Sequence, residues 1–333
     1  VKISVFSWIA ERTGSLEAAR AAATSTGAGR FTADDSSTIL VPQMKVLTTI
    51  AEARAQRRAD RGTLALVPTM GALHAGHLSL IEVARSRADR VAVSIFVNPT
   101  QFGPREDFSK YPRPIEDDVE KCRAAGVDWI FNPSEAEMYP AGGQGIVIDL
   151  PPLDNVLEGK HRPGHFRGVC QVVAKLFNII QPDVACFGQK DFQQLRVLSA
   201  MVEALNWPIE MVACPTLRDP DGLAMSSRNQ YLSPMERQKA LAISRTLFAA
   251  RDTAATGVKQ ASRLIASMQR DLLAQHLSID YTAAVDPLTL KTVELMTGPT
   301  VLAIAVRVGA TRLIDNVVVF PSTGGGVQLT TIN

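Results

Sequence analysis

Along the middle of the chain, apolar residues fall in short runs. Between these runs lie longer stretches in which apolar positions recur every three or four residues. The runs 64–67, 91–97, 129–131, 184–187 and 209–213 have the length and apolar density of strands buried on both faces. Between several of them, 77–88, 115–125, 169–180 and 192–205 carry the apolar stripe of a helix. Strand and helix alternating at this spacing predict an α/β fold, a parallel sheet covered on both faces. Ligands of such sheets bind beyond the carboxyl ends of the strands. Three polar loops, 68–71, 98–103 and 188–191, follow strands and converge on that rim.

After about Leu217 the pattern changes. Arg218-Asp-Pro-Asp-Gly222 is a turn, 233–275 is helical, and 278–285, 301–306 and 311–320 are strand-like. This predicts a smaller second domain of α+β type, with boundaries at 44–216 and 217–333. Residues 1–43 look foreign to the rest: 18–26 are almost all small, 27–38 are rich in Gly, Ser and Asp, and the chain starts with valine. Met44-Lys-Val-Leu begins like an ordinary N-terminus. The expectation is a poorly ordered extension, or upstream sequence read from an early start.

At 333 residues, 46% hydrophobic and 20% charged, the composition is that of a soluble globular protein with room for two domains. The formal net charge of +2 argues neither for nor against nucleic acid. The one dense basic run, Arg54 to Arg61, is broken by alanines, a glutamine and an aspartate, and reads as the solvated face of a helix. Cys122, Cys170, Cys186 and Cys214 form no C-x-x-C pair and read as buried free thiols in a reducing compartment. No apolar run approaches the ~20 residues of a membrane span, and no basic-then-apolar leader is present. The expected location is the cytoplasm.

The candidate chemistry starts at Pro68-Thr-Met-Gly-Ala-Leu-His74-Ala-Gly-His77, a glycine turn after a strand with two histidines at the head of a helix. Two imidazoles and a set of free backbone N–H groups aimed at one point suit an anion, above all a polyphosphate. Gly76 removes a side chain where a bulky ligand would approach the backbone. A two-histidine metal site is a second reading, but no third ligand stands at motif spacing. Phe187-Gly-Gln-Lys190-Asp191-Phe-Gln-Gln194 offers a mobile point charge and a carboxylate that could cap a helix, accept from a ribose hydroxyl or hold magnesium through water. Met225-Ser-Ser-Arg228-Asn229 follows a flexible Asp-Gly turn and could close over a triphosphate, or simply cap the next helix. The amides of Asn98-Pro-Thr-Gln101 suit a polar or carboxylate-bearing ligand. Gly159-Lys-His-Arg-Pro-Gly-His-Phe166 is either a surface loop or an anion-facing one.

Val67 to His77 together with Met225 to Asn229 resembles the HIGH-type and KMSKS-type pair of the nucleotidyltransferase superfamily. With Ser94-Ile-Phe-Val-Asn-Pro-Thr-Gln-Phe-Gly103, Tyr111-Pro-Arg113, Phe187 to Gln194 and Thr311-Arg-Leu-Ile-Asp-Asn316, the set resembles the pantothenate synthetase, or pantoate–β-alanine ligase, family from Met44 to about Val319. The resemblance implies a Rossmann-like doubly wound parallel sheet and a smaller C-terminal lid domain. It also implies a reaction in which ATP activates (R)-pantoate as pantoyl adenylate, releasing diphosphate, and β-alanine then displaces AMP. Magnesium would accompany ATP, no organic prosthetic group is needed, and a homodimer is expected.

Carried over by motif, Met70, Gly71, Ala72, Leu73, His74, Ala75, Gly76 and His77 would line the ATP site. So would Gly188, Gln189, Lys190, Asp191, Leu217, Met225, Ser226, Ser227 and Arg228. His77 stands in the place of the catalytic acid. His74, His77, Lys190 and Arg228 would supply charge to the polyphosphate. Gln101 and Gln194 would hold pantoate, and Gln101 would also lie next to β-alanine. Three positions depart from the family pattern: Gln189 for glutamate, Thr100 for methionine and Phe192 for tyrosine. The alternatives are an adenylyl- or cytidylyltransferase that stops after nucleotide transfer, and a nucleotide-binding protein without chemistry. An aminoacyl-tRNA synthetase-like fragment would want a basic RNA-binding appendage, which the charge balance does not show.

Overall fold

The computed structural model describes residues 44–104, 106–141 and 145–320. The extension expected over 1–43 lies outside the described residues. In chain order the elements are β1 (Lys45–Leu47), α1 (Ile50–Ala59), β2 (Leu64–Thr69), α2 (Ala75–Arg85), β3 (Arg90–Ile95), α3 (Ile115–Ala124), β4 (Trp129–Phe131), α4 (Glu135–Met138), α5 (Glu158–His161), α6 (His165–Ile180), β5 (Val184–Gly188), α7 (Phe192–Ala204) and β6 (Glu210–Cys214). They continue with α8 (Pro234–Ala255), α9 (Ala261–Ala274), β7 (Ser278–Val285), β8 (Thr300–Val308) and β9 (Thr311–Val319). Short 3-10 turns stand at Pro99–Gln101, Gln189–Asp191 and Ser227–Tyr231.

Six strands form one parallel sheet in the order β1-β4-β3-β2-β5-β6. Its centre reads as continuous apolar runs because both faces are covered. Leu64, Leu66, Ala92 and Trp129 point into one core with α6 and α7, whereas Ala65, Val67, Val91 and Val93 point into the other with Ile81 and Ala84 of α2 and Cys122 of α3. The chain moves outward from β2 through β3 to β4, beside the edge strand β1, then crosses back to place β5 on the other side of β2. The strand order therefore reverses between β2 and β5, the topological switch point at which such sheets open a crevice. Val67 pairs with Val93 and Leu66 with Ala185, so the loops after these strands leave from a common level.

The C-terminal part is a three-stranded antiparallel sheet, β7-β8-β9, with α8 and α9 packed on it around Leu247, Met268, Leu302 and Ile304. Its last strand binds two segments of the parallel-sheet part and the segment that follows β6. Arg312 donates to both oxygens of the buried Glu158 at 2.5 and 2.8 Å, and through Nε to Asp280 at 2.6 Å; Tyr281 also donates to Glu158 at 2.8 Å. Asp315, 2% exposed, takes a two-point bond from Arg218 at 2.6 and 3.0 Å. Asn316 Nδ2 donates to the carbonyls of Gln189 and Lys190 at 3.0 and 2.9 Å.

Several boundaries differ from the sequence reading for local reasons. α6 begins at His165 rather than 169, because Gly164 turns left-handed just before it. The helical stretch 233–275 is two helices, broken by a turn in which Gly257 also has a positive φ. β1 has three residues, too few for periodicity to register, and pairs with β4 at the sheet edge. The basic run does lie on a helix, α1, of which only Ala53 is buried; its Arg57 pairs with Asp183 at 3.2 Å. All four cysteines are free and buried. Among the described residues, no helix is long and apolar enough to cross a membrane.

Removing one partner of a buried ion pair leaves an uncompensated charge in a poor solvent. Asp315→Ala is therefore expected to destabilise the protein by about 3 kcal/mol, measured by urea unfolding. A loss below about 0.5 kcal/mol, the scale of an ordinary surface change, would show that the pair does not hold the strand in place.

Candidate active site

A cleft of about 230 Å³ opens at the switch point. Met70, His74, Gly76 and His77 reach it from the β2–α2 turn, and Gly188, Lys190, Asp191 and Gln194 from the end of β5 and the start of α7. Gln101 enters from the turn after β3, and Leu217 and Met225 to Arg228 from the segment after β6. The structure thus brings together the two segments of the histidine and Ser-Ser-Arg motifs, which are far apart in sequence. A smaller cavity of about 40 Å³, towards β7 and β9, shares Arg162, His165, Lys190, Asp191 and Gln194 with the cleft.

His74 is the N-cap of α2. Its Nδ1 accepts from Gly76 N at 3.1 Å, and His77 Nδ1 accepts from His74 N at 3.3 Å. Each neutral ring therefore carries its proton on Nε2, which is the donor left for a ligand. The rings stand 4.2 Å apart, centroid to centroid. Burial, with Lys190 next, lowers the pKa of His74 to about 4. Burial, with His74 next, lowers that of His77 to about 3. This corrects one expectation: in the free protein the two imidazoles are neutral and serve as hydrogen-bond donors rather than cations.

Four further expectations change. The free backbone N–H groups of the turn are largely taken: Ala72 N and Leu73 N both donate to Asp118, and His77 N to His74 O. Gly71, Ala72, Leu73 and Ala75 do not line the cleft, and Leu73 is 3% exposed in the core beneath it. Gly76 does face the cleft, but a Cβ there would stand 2.8 Å from His74 Cε1, so its first service is to make room for that ring. Gln189 also stays outside the cleft; its carbonyl, held by Asn316, helps fix the turn that carries Lys190.

The cationic groups are partly spoken for. Lys190 Nζ lies 3.7 Å from Asp191 Oδ1. Arg228 makes a two-point bond to Asp107 at 3.0 and 3.1 Å, and Tyr111 shares a hydrogen bond with Ser227 at 3.1 Å. The loop after Phe102 is thereby fastened to the Ser-Ser-Arg segment. Ser226 accepts from Arg228 N at 3.3 Å and so caps the 3-10 turn it begins.

Gln101 donates to Met70 Sδ at 3.0 Å and accepts from Asn98 at 3.1 Å. Its carbonyl accepts from His165 Nδ1 at 2.8 Å, which leaves His165 Nε2 to accept from Arg162 at 3.1 Å. Arg162 is itself paired twice with Glu106 at 2.7 Å. Burial, then Arg162, lowers the pKa of His165 to about 4. The basic segment at 159–166 is therefore divided: Lys160 and the His161 ring lie outside the cleft, while Arg162 and His165 line it. Asp107, Glu106 and Asp118 were not singled out from the sequence, where nothing in their local spacing marks them; Asn316 stood there only as the end of the Thr311–Asn316 motif, without a role. Among the described residues, no cluster of three or more His, Cys, Asp or Glu side chains could hold a metal ion. Asp191 is the carboxylate at the cleft wall.

A parallel sheet that opens at its switch point onto neutral imidazoles and paired cations is built as a nucleotide-dependent α/β enzyme. The sequence model of the Pantoate-beta-alanine ligase family matches residues 45–318. A pantothenate synthetase of Bradyrhizobium diazoefficiens is 53% identical over 279 residues, 83% of this chain and 98% of that one. The crystal structure of the enzyme from Thermus thermophilus superposes with a TM-score of 0.80 at 45% identity, over 84% of this chain and 100% of that one. The pantoate-beta-alanine ligase of Francisella tularensis, complexed with beta-gamma ATP and beta-alanine, gives 0.70 at 34% identity over 82% and 97%. The chain belongs to the pantoate–β-alanine ligase family, and its activity is that of a ligase that forms a C–N bond.

The neutral, buried histidines carry a consequence for stability. In the unfolded chain they take up protons below about 6.5, whereas His74 and His165 resist to about 4 and His77 to about 3. The unfolded state then binds more protons, so stability is full above 6.5 and falls as the pH is lowered towards 4. Thermal unfolding is expected at a lower temperature at pH 5 than at pH 7.5; equal midpoints would contradict the burial of neutral rings.

Proposed function

We propose that this cleft joins (R)-pantoate to β-alanine at the expense of ATP, through pantoyl adenylate. The observation that carries the reading is that both motif histidines, Lys190, the Ser-Ser-Arg segment and the two glutamines line one cleft. Pantoate's carboxylate is ionised at neutral pH, so the first step needs no base. One of its oxygens attacks the α-phosphorus, the bond to the β-phosphate bridge breaks, and diphosphate leaves. The protein's part is to hold the two groups in line and to stabilise the charge that builds on the phosphate oxygens.

The Nε2–H groups of His74 and His77 supply neutral donors to that charge. Lys190 supplies a point charge, and Arg228 supplies a planar cation once it exchanges Asp107 for phosphate. The approach of a polyanion raises the pKa of both histidines, and once His77 has taken up a second proton from solvent it can give one as charge develops. Gln101 and Gln194 hold pantoate through its polar groups, with β-alanine beside Gln101. In the second step the neutral amine attacks the acyl carbon, AMP leaves, and the amine's remaining extra proton passes to solvent or to a histidine.

Magnesium enters as a companion of the triphosphate, with Asp191 as the carboxylate of the cleft that could meet it, in keeping with the usual sharing of this ion between substrate phosphates and one or two carboxylates. No organic prosthetic group has a part in this scheme. The parallel sheet of 44–216 holds nucleotide and pantoate, and residues from 217 onward act as a lid. The family resemblance adds a homodimer working in the cytoplasm.

The test is pantoate-dependent exchange of labelled diphosphate into ATP. Exchange is expected without β-alanine, and steady AMP release only with it; a protein that releases AMP equally in both cases is a different transferase. His77→Ala and Lys190→Ala should each lower that exchange by at least ~10²-fold, the low end for a lost transition-state donor. Near-normal exchange in both would remove them from the chemistry. Gln101→Ala should raise the KM for pantoate more than that for ATP, and an equal rise in both would contradict its place beside pantoate.

A further inference from the structure

The turn that delivers His74 and His77 makes bonds of its own, such as Gly71 N to Thr69 Oγ1 at 3.2 Å, but its left-handed residues 71 and 72 are held from another helix. Gly71 and Ala72 both have positive φ, +82° and +52°. For alanine that region is costly, and such a conformation persists only where the surroundings enforce it. The enforcing group lies on α3. Asp118, 0% exposed, accepts from Ala72 N through Oδ2 and from Leu73 N through Oδ1, both at 2.7 Å. One turn further along the same helix, Lys121 donates to Leu73 O at 2.8 Å. A Cβ on Gly71 would stand 2.8 Å from Asp118 Oδ2, so the carboxylate fills the space that the glycine leaves. Asp118 does not line the cleft.

We infer that Asp118 is a positioning residue for catalysis: its buried carboxylate clamps the Ala72 and Leu73 N–H groups and so fixes the left-handed turn that aims His74 and His77. The two bonds to one carboxylate set both the position and the plane of the turn. Cys122 of α3 is buried in the same core as Val91 and Val93 of β3 and Ile130 of β4, which ties the helix to the sheet. The inference rests on the function proposed above for the two histidines.

The test uses the full chain and Asp118→Asn, which keeps the shape of the side chain but replaces one acceptor by an amide that faces an N–H. A displacement of the rings by about 1 Å costs on the order of 10²-fold in rate. The folded variant is expected to lose about that much diphosphate exchange, with the KM for pantoate within about threefold, since Gln101 and Gln194 are held elsewhere. NMR titration supplies a readout that a merely structural role would not move. In the wild type burial lowers His74 to about 4, with Lys190 and Lys121 acting against Asp219 and Asp191, and lowers His77 to about 3, with His74, Lys190 and Lys121 acting against Asp191. In the variant both should move towards 6.5 while His165 stays near 4.

Exchange within threefold of the wild type, or histidine titrations that do not move, would overturn the inference. If the variant does not fold, the wild type decides. The amide protons of Ala72 and Leu73 should be among the slowly exchanging ones, and exchange at open-loop rates would overturn it. A wild-type protein with no pantoate-dependent exchange would instead refute the underlying function, so the two failures are distinct.

Discussion

The structure depends on the bonds made by one stretch of β9. Arg312, Asp315 and Asn316 lie within five residues, yet they bind Glu158 ahead of α6, Arg218 after β6, and the backbone that carries Lys190. Each contact satisfies a charge or carbonyl that would be costly to leave buried alone. Together they fix two loops of the parallel-sheet part and the segment after β6 against the C-terminal sheet. The registers of Arg312 and Asp315 are set in turn by nine residue pairs with β8. The geometry of the cleft therefore traces back to strand pairing in a sheet that contributes none of the groups proposed to meet the phosphates.

Within that frame, charge is managed rather than accumulated. Two histidines are buried neutral, and a third, His165, is neutral between Arg162 and the Gln101 carbonyl. Arg162 and Arg228 each have a carboxylate partner. A cleft crowded with bare cations would repel its own walls and destabilise the fold. Pairing avoids that, and leaves the groups in place to be recruited.

Much of this was legible in the sequence, for physical reasons. The centre of a doubly covered sheet must be apolar at every position, so β2, β3 and β5 stand out as continuous runs. The switch-point loops then follow from strand order, and the histidine and Ser-Ser-Arg motifs from their chemistry. What escaped was of two kinds. β1 and the left-handed starts and breaks at Gly164 and Gly257 are too short for a period to show. Asp118 meets Ala72 across 46 positions and Arg228 meets Asp107 across 121, and no local spacing encodes such pairs. The same blindness explains why the turn at 71–73 read as a row of vacant N–H donors: the carboxylate that occupies them comes from another helix.

On the function proposed for Arg228, its pair with Asp107 has a consequence for how the cleft would choose what to hold. A guanidinium that already has two good bonds yields them only to an anion that returns at least as much. Inorganic phosphate, small and well hydrated, offers little for that exchange, whereas a nucleotide brings further contacts along the whole wall. Capture by swapping partners also weakens the long-range pull on any passing anion, because the paired charges cancel at a distance. On that reading selectivity in this cleft would be expressed at contact rather than on approach, and moderate salt should disturb it less than it would a site made of unpaired lysines and arginines.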